Sequence, residues 1–258
     1  MSDNAKQAVQ AQFGRQASWY VVSSVHQQSE GLDALVRLAA PLPEHRALDI
    51  ATGTGFTALA LAPRCRTVIG VDLTLGMVRE ARRLAEQRRV SNLSLCLGDA
   101  EALPFQSSTF DIVACRHAAH HFADLARGLQ EMTRVVKVGG RVVLEDTCAP
   151  EAPALASQMN EWERRRDPSH RENRPPSRLR QMLEAAGLRV EADALGLVQQ
   201  TFGDWTQRAG VPQPEADALR TSFLGASPEA RAAFRIRLED DGTLHFAWNE
   251  MVILGIKR

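Results

Sequence analysis

The chain has 258 residues, 44% hydrophobic and 24% charged, with Lys+Arg and Asp+Glu both at 31. That is ordinary globular composition, with room for one large α/β domain and a small cap. The even charge leaves no electrostatic footprint for nucleic acid or an anionic membrane, although Arg164 to Arg166, His170, Arg171 and Arg174 could form a local basic patch. The cysteines Cys65, Cys96, Cys115 and Cys148 form no C-x-x-C pair and read as reduced structural thiols. MSDNAKQAVQAQF has no apolar signal core, and no apolar run approaches the ~20 residues of a membrane helix. These features predict a soluble, cytoplasmic protein.

Residues 3 to 20 read as a polar helix leading to the aromatics Phe13, Trp19 and Tyr20. Such a helix is unstable alone, so it must dock, either over a ligand site or as a tail with its aromatics on the core. Leu32, Leu35, Val36 and Ala39 fall at helical spacing, and Pro41 and Pro43 end that helix. The stretch ALDIATGTGFTA, Ala47 to Ala58, then reads as a buried strand, a glycine turn and a helix start. Gly53 and Gly55 let the backbone bend sharply and a ligand come close. The helix start offers unpaired N–H groups to an anionic ligand group. Asp49, inside the apolar strand, needs a hydrogen-bond partner to be tolerated there. The spacing Gly53-x-Gly55-x-x-Ala58 also fits the loose dinucleotide fingerprint.

TVIGVD, Thr67 to Asp72, is a second buried strand. Its terminal Asp72 suits ribose hydroxyls or caps the helix of residues 74 to 89. LSLCL, Leu93 to Leu97, is a third strand and runs into Asp99, placed to accept from an exocyclic amine. FDIVAC, Phe110 to Cys115, is a fourth, ending in Arg116-His117-Ala118-Ala119-His120-His121-Phe122. Residues 123 to 136 are helical, and Gly139-Gly140 turns into a fifth strand, Arg141 to Glu145. Alternating strands and helices imply right-handed crossovers and a mostly parallel sheet with helices on both faces. Its ligand sits beyond the carboxyl ends of the strands.

Beyond a loop at 146 to 153, residues 154 to 166 read as a helix with Leu155, Met159 and Trp162 inward, and Asp167-Pro168-Ser169-His170 as a turn. Ser177 is the expected N-cap of a helix that Gly187 stops. Leu188 to Val198 is a sixth strand, residues 203 to 236 hold two or three short helices, and Leu244 to Ile256 is the closing strand. Trp162, Trp205 and Phe223 fit either an apolar acceptor pocket or core packing.

The stretches LDIATGTG, VIGVDLTLGMV, LGDAEALPFQSSTFDIV and LQEMTRVVKVGGRVVLED together resemble the class I S-adenosylmethionine-dependent methyltransferases. The similarity is strong over about residues 45 to 150, and its flavour is that of the ubiquinone and menaquinone biosynthesis enzymes. CRHAAHHFAD and RDPSH resemble a small-molecule branch of the group. The resemblance implies a Rossmann-like α/β fold, with a seven-stranded, mostly parallel sheet whose last strand is antiparallel. It implies helices and a lid over 1 to 44, a cofactor-binding core over 45 to 150, and a helical acceptor-side cap near 151 to 170 and 202 to 240, the rest of 151 to 258 completing the same domain. It also implies S-adenosyl-L-methionine as cofactor. Asp49, Ala51, Thr52, Gly53 and Gly55 would cradle its methionine part, and Asp72 its ribose. Leu73 and Met77 would lie beside the adenine, with Gly98, Asp99 and Ala100 at the adenine edge. Arg116 and His117 would line the far side, and Phe13 and Tyr20 would belong to the lid. Ala51 departs conservatively from the Cys or Gly of many relatives.

The reaction so implied is an in-line displacement in which the protein positions two molecules, an effect worth roughly 7–11 kcal/mol. His120, His121 and His170 are the candidate bases where the acceptor must lose a proton. Against each stands a plainer reading, as a histidine bonded to backbone or on a surface turn. No acidic or cysteine framework accompanies His117 and His121, so no metal is expected. The expected partner is a small-molecule acceptor, handled by a monomer or homodimer. Two other functions fit less of the pattern: an NAD(P)-dependent oxidoreductase, and a non-catalytic binding module on the same fold.

Overall fold

The computed structural model describes residues 2–22 and 29–258, with side chains described over 4–14 and from 29 onward. The side chains of Trp19 and Tyr20, and the lid role read for Tyr20, lie outside the described residues. In chain order the elements are α1 (Ser2–Val22), α2 (Glu30–Ala39), β1 (Arg46–Ile50), α3 (Phe56–Leu61), β2 (Thr67–Asp72), α4 (Leu75–Gln87), β3 (Leu93–Leu97) and β4 (Phe110–Arg116). There follow α5 (Leu125–Val135), β5 (Val136–Cys148), α6 (Pro153–Arg166), α7 (Pro176–Ala185), β6 (Leu188–Thr201), α8 (Phe202–Ala209), α9 (Gln213–Leu224), α10 (Pro228–Ala233), β7 (Arg237–Leu238) and β8 (Leu244–Lys257).

Among the described residues the sheet has eight strands in the order β3-β2-β1-β4-β5-β8-β6, with the two-residue β7 pairing β8 off that path. The expected seven strands are all present, and β7 is the addition. β1 to β5 pair in parallel, and β8 runs antiparallel between β5 and β6. Alternation along the strands feeds two apolar layers. Leu48, Ile50, Val113 and Leu144 pack on one face with Leu129 of α5 and Leu183 of α7. Ala47, Val68, Ile112 and Val143 pack on the other with Leu35 of α2 and Leu61 of α3.

Three local readings change. β5 begins at Val136, which pairs with Phe110, so Gly139 (φ +73°) and Gly140 form an irregularity within the ladder rather than a turn before it. A Cβ on Gly140 would stand 2.8 Å from the Lys137 carbonyl oxygen, which explains the missing side chain. The N-cap of α7 is Pro175, not Ser177; Ser177 lies inside the first turn and donates its hydroxyl to Glu151. β6 extends past Val198 to Thr201 because its ladder with β8 continues to His245.

The basic patch does not form as a unit. Arg165 pairs with Glu215, Arg166 with Glu163, Arg174 with Glu172, and His170 is buried. A third apolar cluster joins α6, α8, α9 and β8 around Trp162, Trp205, Phe223, Phe246 and Trp248. Trp162 stacks on Phe223 at 4.1 Å. Two indole N–H groups, from Trp205 and Trp248, donate to the same buried Glu163 Oε1 at 3.2 and 2.6 Å. These aromatics are core, and none of them lines the cavity at the tips of β1 to β4.

Candidate active site

A cavity of about 140 Å³ opens at the carboxyl ends of β1, β2, β3 and β4 under α1. Phe13, Ala51, Thr52, Gly53, Asp72, Leu73, Met77, Gly98, Asp99, Ala100, Arg116, His117 and His121 all line it. It is also lined by residues that sequence reasoning missed, among them Lys6, Thr54, Thr74, Glu101 and Phe122.

Asp49 and Gly55 do not line it. Side chains alternate along a strand, so Asp49 points to the same face as Ala47, beneath α3, and not out of the strand tip. There Asp49 Oδ2 accepts from Thr52 Oγ1 (2.5 Å) and from the Ala58 N–H (3.0 Å). Gly55 is the N-cap of α3 and has no side chain to satisfy its first turn; Asp49 supplies that acceptor from the strand. Burial pushes Asp49 up to about 7, against the bonds from Thr52 and Ala58. Gly55 serves packing. It holds φ +89°, and a Cβ there would meet Ala81 Cβ of α4 at 3.2 Å.

Asp72 makes the helix-start contact read for it and ties the glycine turn to that start. Its Oδ1 accepts from the Thr74 N–H (2.8 Å) at the start of α4, and its Oδ2 from the Gly53 N–H (2.9 Å). A carboxylate has about four acceptor sites, so roughly one per oxygen remains for a ligand. Burial raises its pKa while those backbone bonds oppose the rise. Gly53 holds φ +54° with nothing within 4 Å of a would-be Cβ, so a side chain there would occupy cavity space.

At β3, Asp99 Oδ1 accepts from the Glu101 N–H (2.8 Å), and its Oδ2 pairs with Lys6 Nζ of α1 at 2.6 Å. Lys6 also reaches Glu101 at 2.9 Å. Gln10 donates to the Leu73 carbonyl and Gln12 to the Ala209 carbonyl. The polar helix α1 is thus docked over the cavity by specific bonds from at least three side chains.

At β4, Arg116 Nε donates to both oxygens of Glu145 (3.0 and 3.1 Å), and its Nη2 to Ser29 Oγ (3.0 Å). His117 holds φ +48°, a costly conformation for a side-chain-bearing residue, and its N–H donates to the Glu145 carbonyl. Among the described residues, His117, Glu145 and Glu250 form a group able to hold a cation. The acidic framework absent from local sequence therefore exists in space, built from β5 and β8. The Arg116 guanidinium already supplies positive charge to it, engaging both Glu145 oxygens. Burial lifts Glu145 to about 8, opposed by Arg116 and reinforced by Glu250.

The three histidines are brought together, but only His121 faces the cavity. His120 Nδ1 lies 2.5 Å from Asp146 Oδ1, and Asp146 Oδ2 accepts the His120 N–H. Burial acts to lower the His120 pKa, and Asp146 outweighs it, leaving the pKa raised. His170 is 3% exposed and bonds Asn160 through Nε2 (2.8 Å), so it is neither on a surface turn nor at the cavity. His121 Nδ1 lies 3.1 Å from Ser169 Oγ, and Phe13 of α1 meets its ring edge-on at 4.9 Å. Burial, then the neighbouring His120, lower His121 to about 4. Sequence reasoning gave Asp167 and Ser169 a place in a turn but no role at the site, and it gave Asp146 and Asn160 none.

The family model described as a methyltransferase domain matches residues 48–144. An uncharacterised methyltransferase of Bacillus subtilis (strain 168), YcgJ, is 37% identical over 247 residues, covering 95% of this chain and 98% of that protein. The crystal structure of YcgJ covers 88% of this chain and 98% of its own, with a TM-score of 0.85 at 38% identity. A demethylmenaquinone methyltransferase of Corynebacterium kroppenstedtii is 34% identical over 137 residues, which is 51% of this chain and 57% of that one.

Proposed function

The chain belongs to the methyltransferases that carry this domain and use S-adenosylmethionine, and from that premise we propose that the strand-tip cavity holds the cofactor while a small-molecule acceptor enters beside His121. Asp72 carries the reading. It lies buried at the cavity wall, with each oxygen holding one backbone N–H and keeping acceptor capacity for a pair of ribose hydroxyls. Gly53 leaves its would-be Cβ space to the ligand. Leu73 and Met77 form the apolar flank of the adenine, with Gly98, Asp99 and Ala100 along its edge. Ala51, Thr52 and Gly53 face the methionine part, and Arg116 and His117 lie beyond it. Asp49 and Gly55 act indirectly, by shaping the turn. Phe13 closes the lid side from α1.

When bound, the cofactor supplies a methyl group already activated on a sulfonium. What remains for the protein is to orient the acceptor, exclude water, and receive a proton where the nucleophile carries one. His121 is the side chain for that last task, since His120 and His170 are turned to Asp146 and Asn160. The oxidoreductase alternative does not suit the sheet, because the dinucleotide fold runs 3-2-1-4-5-6 in parallel and here antiparallel β8 separates β5 from β6. We read residues 1 to 44 as lid, 45 to 150 as cofactor half, and 151 to 170 with 202 to 240 as cap. Even charge and free cysteines fit a cytoplasmic monomer or homodimer acting on a metabolite rather than on nucleic acid.

The test is incubation with methyl-labelled S-adenosylmethionine and a panel of phenol, enol, amine and thiol acceptors, read by mass spectrometry. Gain of one methyl by at least one acceptor class is expected. Cofactor binding without transfer to any of them would favour the binding-module reading.

A further inference from the structure

The polar turn between α6 and α7 contains a chain of hydrogen bonds whose direction is fixed by chemistry. Asp167 is 3% exposed. Its Oδ1 accepts the Ser169 N–H at 2.8 Å and lies 2.6 Å from Ser169 Oγ. A carboxylate only accepts, and a serine hydroxyl has a single proton. That proton is therefore committed to Asp167. Ser169 Oγ is left with lone pairs alone, and 3.1 Å from it stands His121 Nδ1. Nδ1 must be the donor in this pair. A neutral imidazole has one N–H, so Nε2 is bare.

We propose that Asp167, acting through the Ser169 hydroxyl, fixes His121 as the Nδ1–H tautomer and so makes His121 Nε2 the proton acceptor of the cavity. This rests on the methyltransferase reading above and adds two positioning residues to it. It also assigns the role of each neighbour. The His120 ring lies 4.1 Å from the His121 ring and is held by Asp146 through Nδ1; the His170 ring lies 6.3 Å away and donates to Asn160. Burial discourages a proton on His121, and the neighbouring His120 acts in the same direction. Asp167 is kept ionised. Burial opposes this, and the Arg166 guanidinium and the two bonds from Ser169 favour it.

The division of labour follows a general pattern in which environments push neighbouring titratable groups apart and thereby separate acid from base. One proton passes from the acceptor's X–H to Nε2. The imidazolium so formed keeps its Nδ1–H on Ser169, with the Asp167 charge behind it, and later returns the proton to solvent.

The proposal is tested on the full chain by long-range proton–nitrogen correlation NMR, with the His121 signals identified by their loss in His121→Gln. A protonated Nδ1 and an unprotonated Nε2 are expected in the wild type. Ser169→Ala should collapse that pattern toward averaged tautomers. Asp167→Asn, which keeps an acceptor and removes the charge, should do so in part and serves if Ser169→Ala does not fold. An unprotonated Nδ1 in the wild type, or a pattern unmoved in a folded variant, would overturn it. S-adenosylhomocysteine is titrated into the same wild-type sample. Absence of binding there overturns the cofactor-site reading, whereas the tautomer readout judges the relay alone.

Discussion

Where Asp72 meets Gly53, the cavity wall comes from one continuous β-α-β unit, and its contacts are between a carboxylate and backbone N–H groups. Where His121 meets Ser169, the wall joins the β4 tip to a turn 48 residues further along, and its contacts are between side chains. The first kind of wall is set by strand, turn and helix, so it is formed as soon as the sheet is. The second depends on buried polar groups satisfying one another, and a single deletion strands several of them. Cofactor binding and acceptor chemistry should therefore respond to different mutations.

The largest effect separating the two halves is expected at His121. His121→Ala should lower methyl transfer to an acceptor found by screening by about 10²–10⁴-fold, the usual worth of a general base. Affinity for S-adenosylhomocysteine should be unchanged. A loss of affinity matching the loss of turnover would place His121 in the cofactor half instead. Nearly as large, but read as stability, is Glu163→Ala, which strands two indole donors and removes the carboxylate that Arg166 Nη1 pairs with. A cost of about 3–5 kcal/mol is expected, as for other broken buried ion pairs, measured by urea unfolding. Glu163→Gln, which keeps an acceptor for the indoles, should lose less.

On the other side, Asp72→Ala removes acceptors used by Gly53 and Thr74 as well as those offered to ribose. Cofactor binding should weaken by about 1.5–3 kcal/mol, the range for hydrogen bonds to a charged group, while the His121 tautomer stays as it was. Smaller still is a pH effect. The His121 pKa is depressed to about 4, so below about pH 6.5 the unfolded chain takes a proton that the folded chain refuses. Its contribution to stability is neutral above that pH and becomes unfavourable as pH falls toward 4, by roughly 1.4 kcal/mol per pH unit. The stability difference between wild type and His121→Gln, followed by urea unfolding across that window, should show this slope; a flat difference would contradict a neutral His121. Smallest is Lys6→Ala. The Lys6 side chain is 26% exposed, so the pair with Asp99 should be worth only ~0.2–1 kcal/mol and should fade with added salt in thermal melts.

The same contrast explains what could be read from the amino-acid sequence. Asp72, Gly53 and Asp99 stand at fixed offsets from strand ends, and local pattern places such residues. Asp49 has the right offset but the wrong direction for the cavity; alternation along β1 turns it under α3 to cap a helix that starts on a glycine. His121 could be named as a candidate but not chosen over His120 and His170, since the choice rests on Asp146, Asn160 and Ser169. Those partners come from β5, α6 and a turn, and nothing in their local spacing announces a meeting. Glu145 and Glu250 are likewise joined only by the β5–β8 register, which pairs Glu145 with Val252 and Thr147 with Glu250. The aromatic cap could be read either way from composition, and burial decides it as core.

Whether the strand-tip cavity holds the cofactor is decided by calorimetric titration of the wild-type chain with S-adenosylhomocysteine, with the Gly53 amide followed by NMR on the same sample. Saturable one-site binding that perturbs the Gly53 N–H bonded to Asp72 is expected. No heat up to millimolar ligand, or binding that leaves the Gly53 amide where it was, would contradict it.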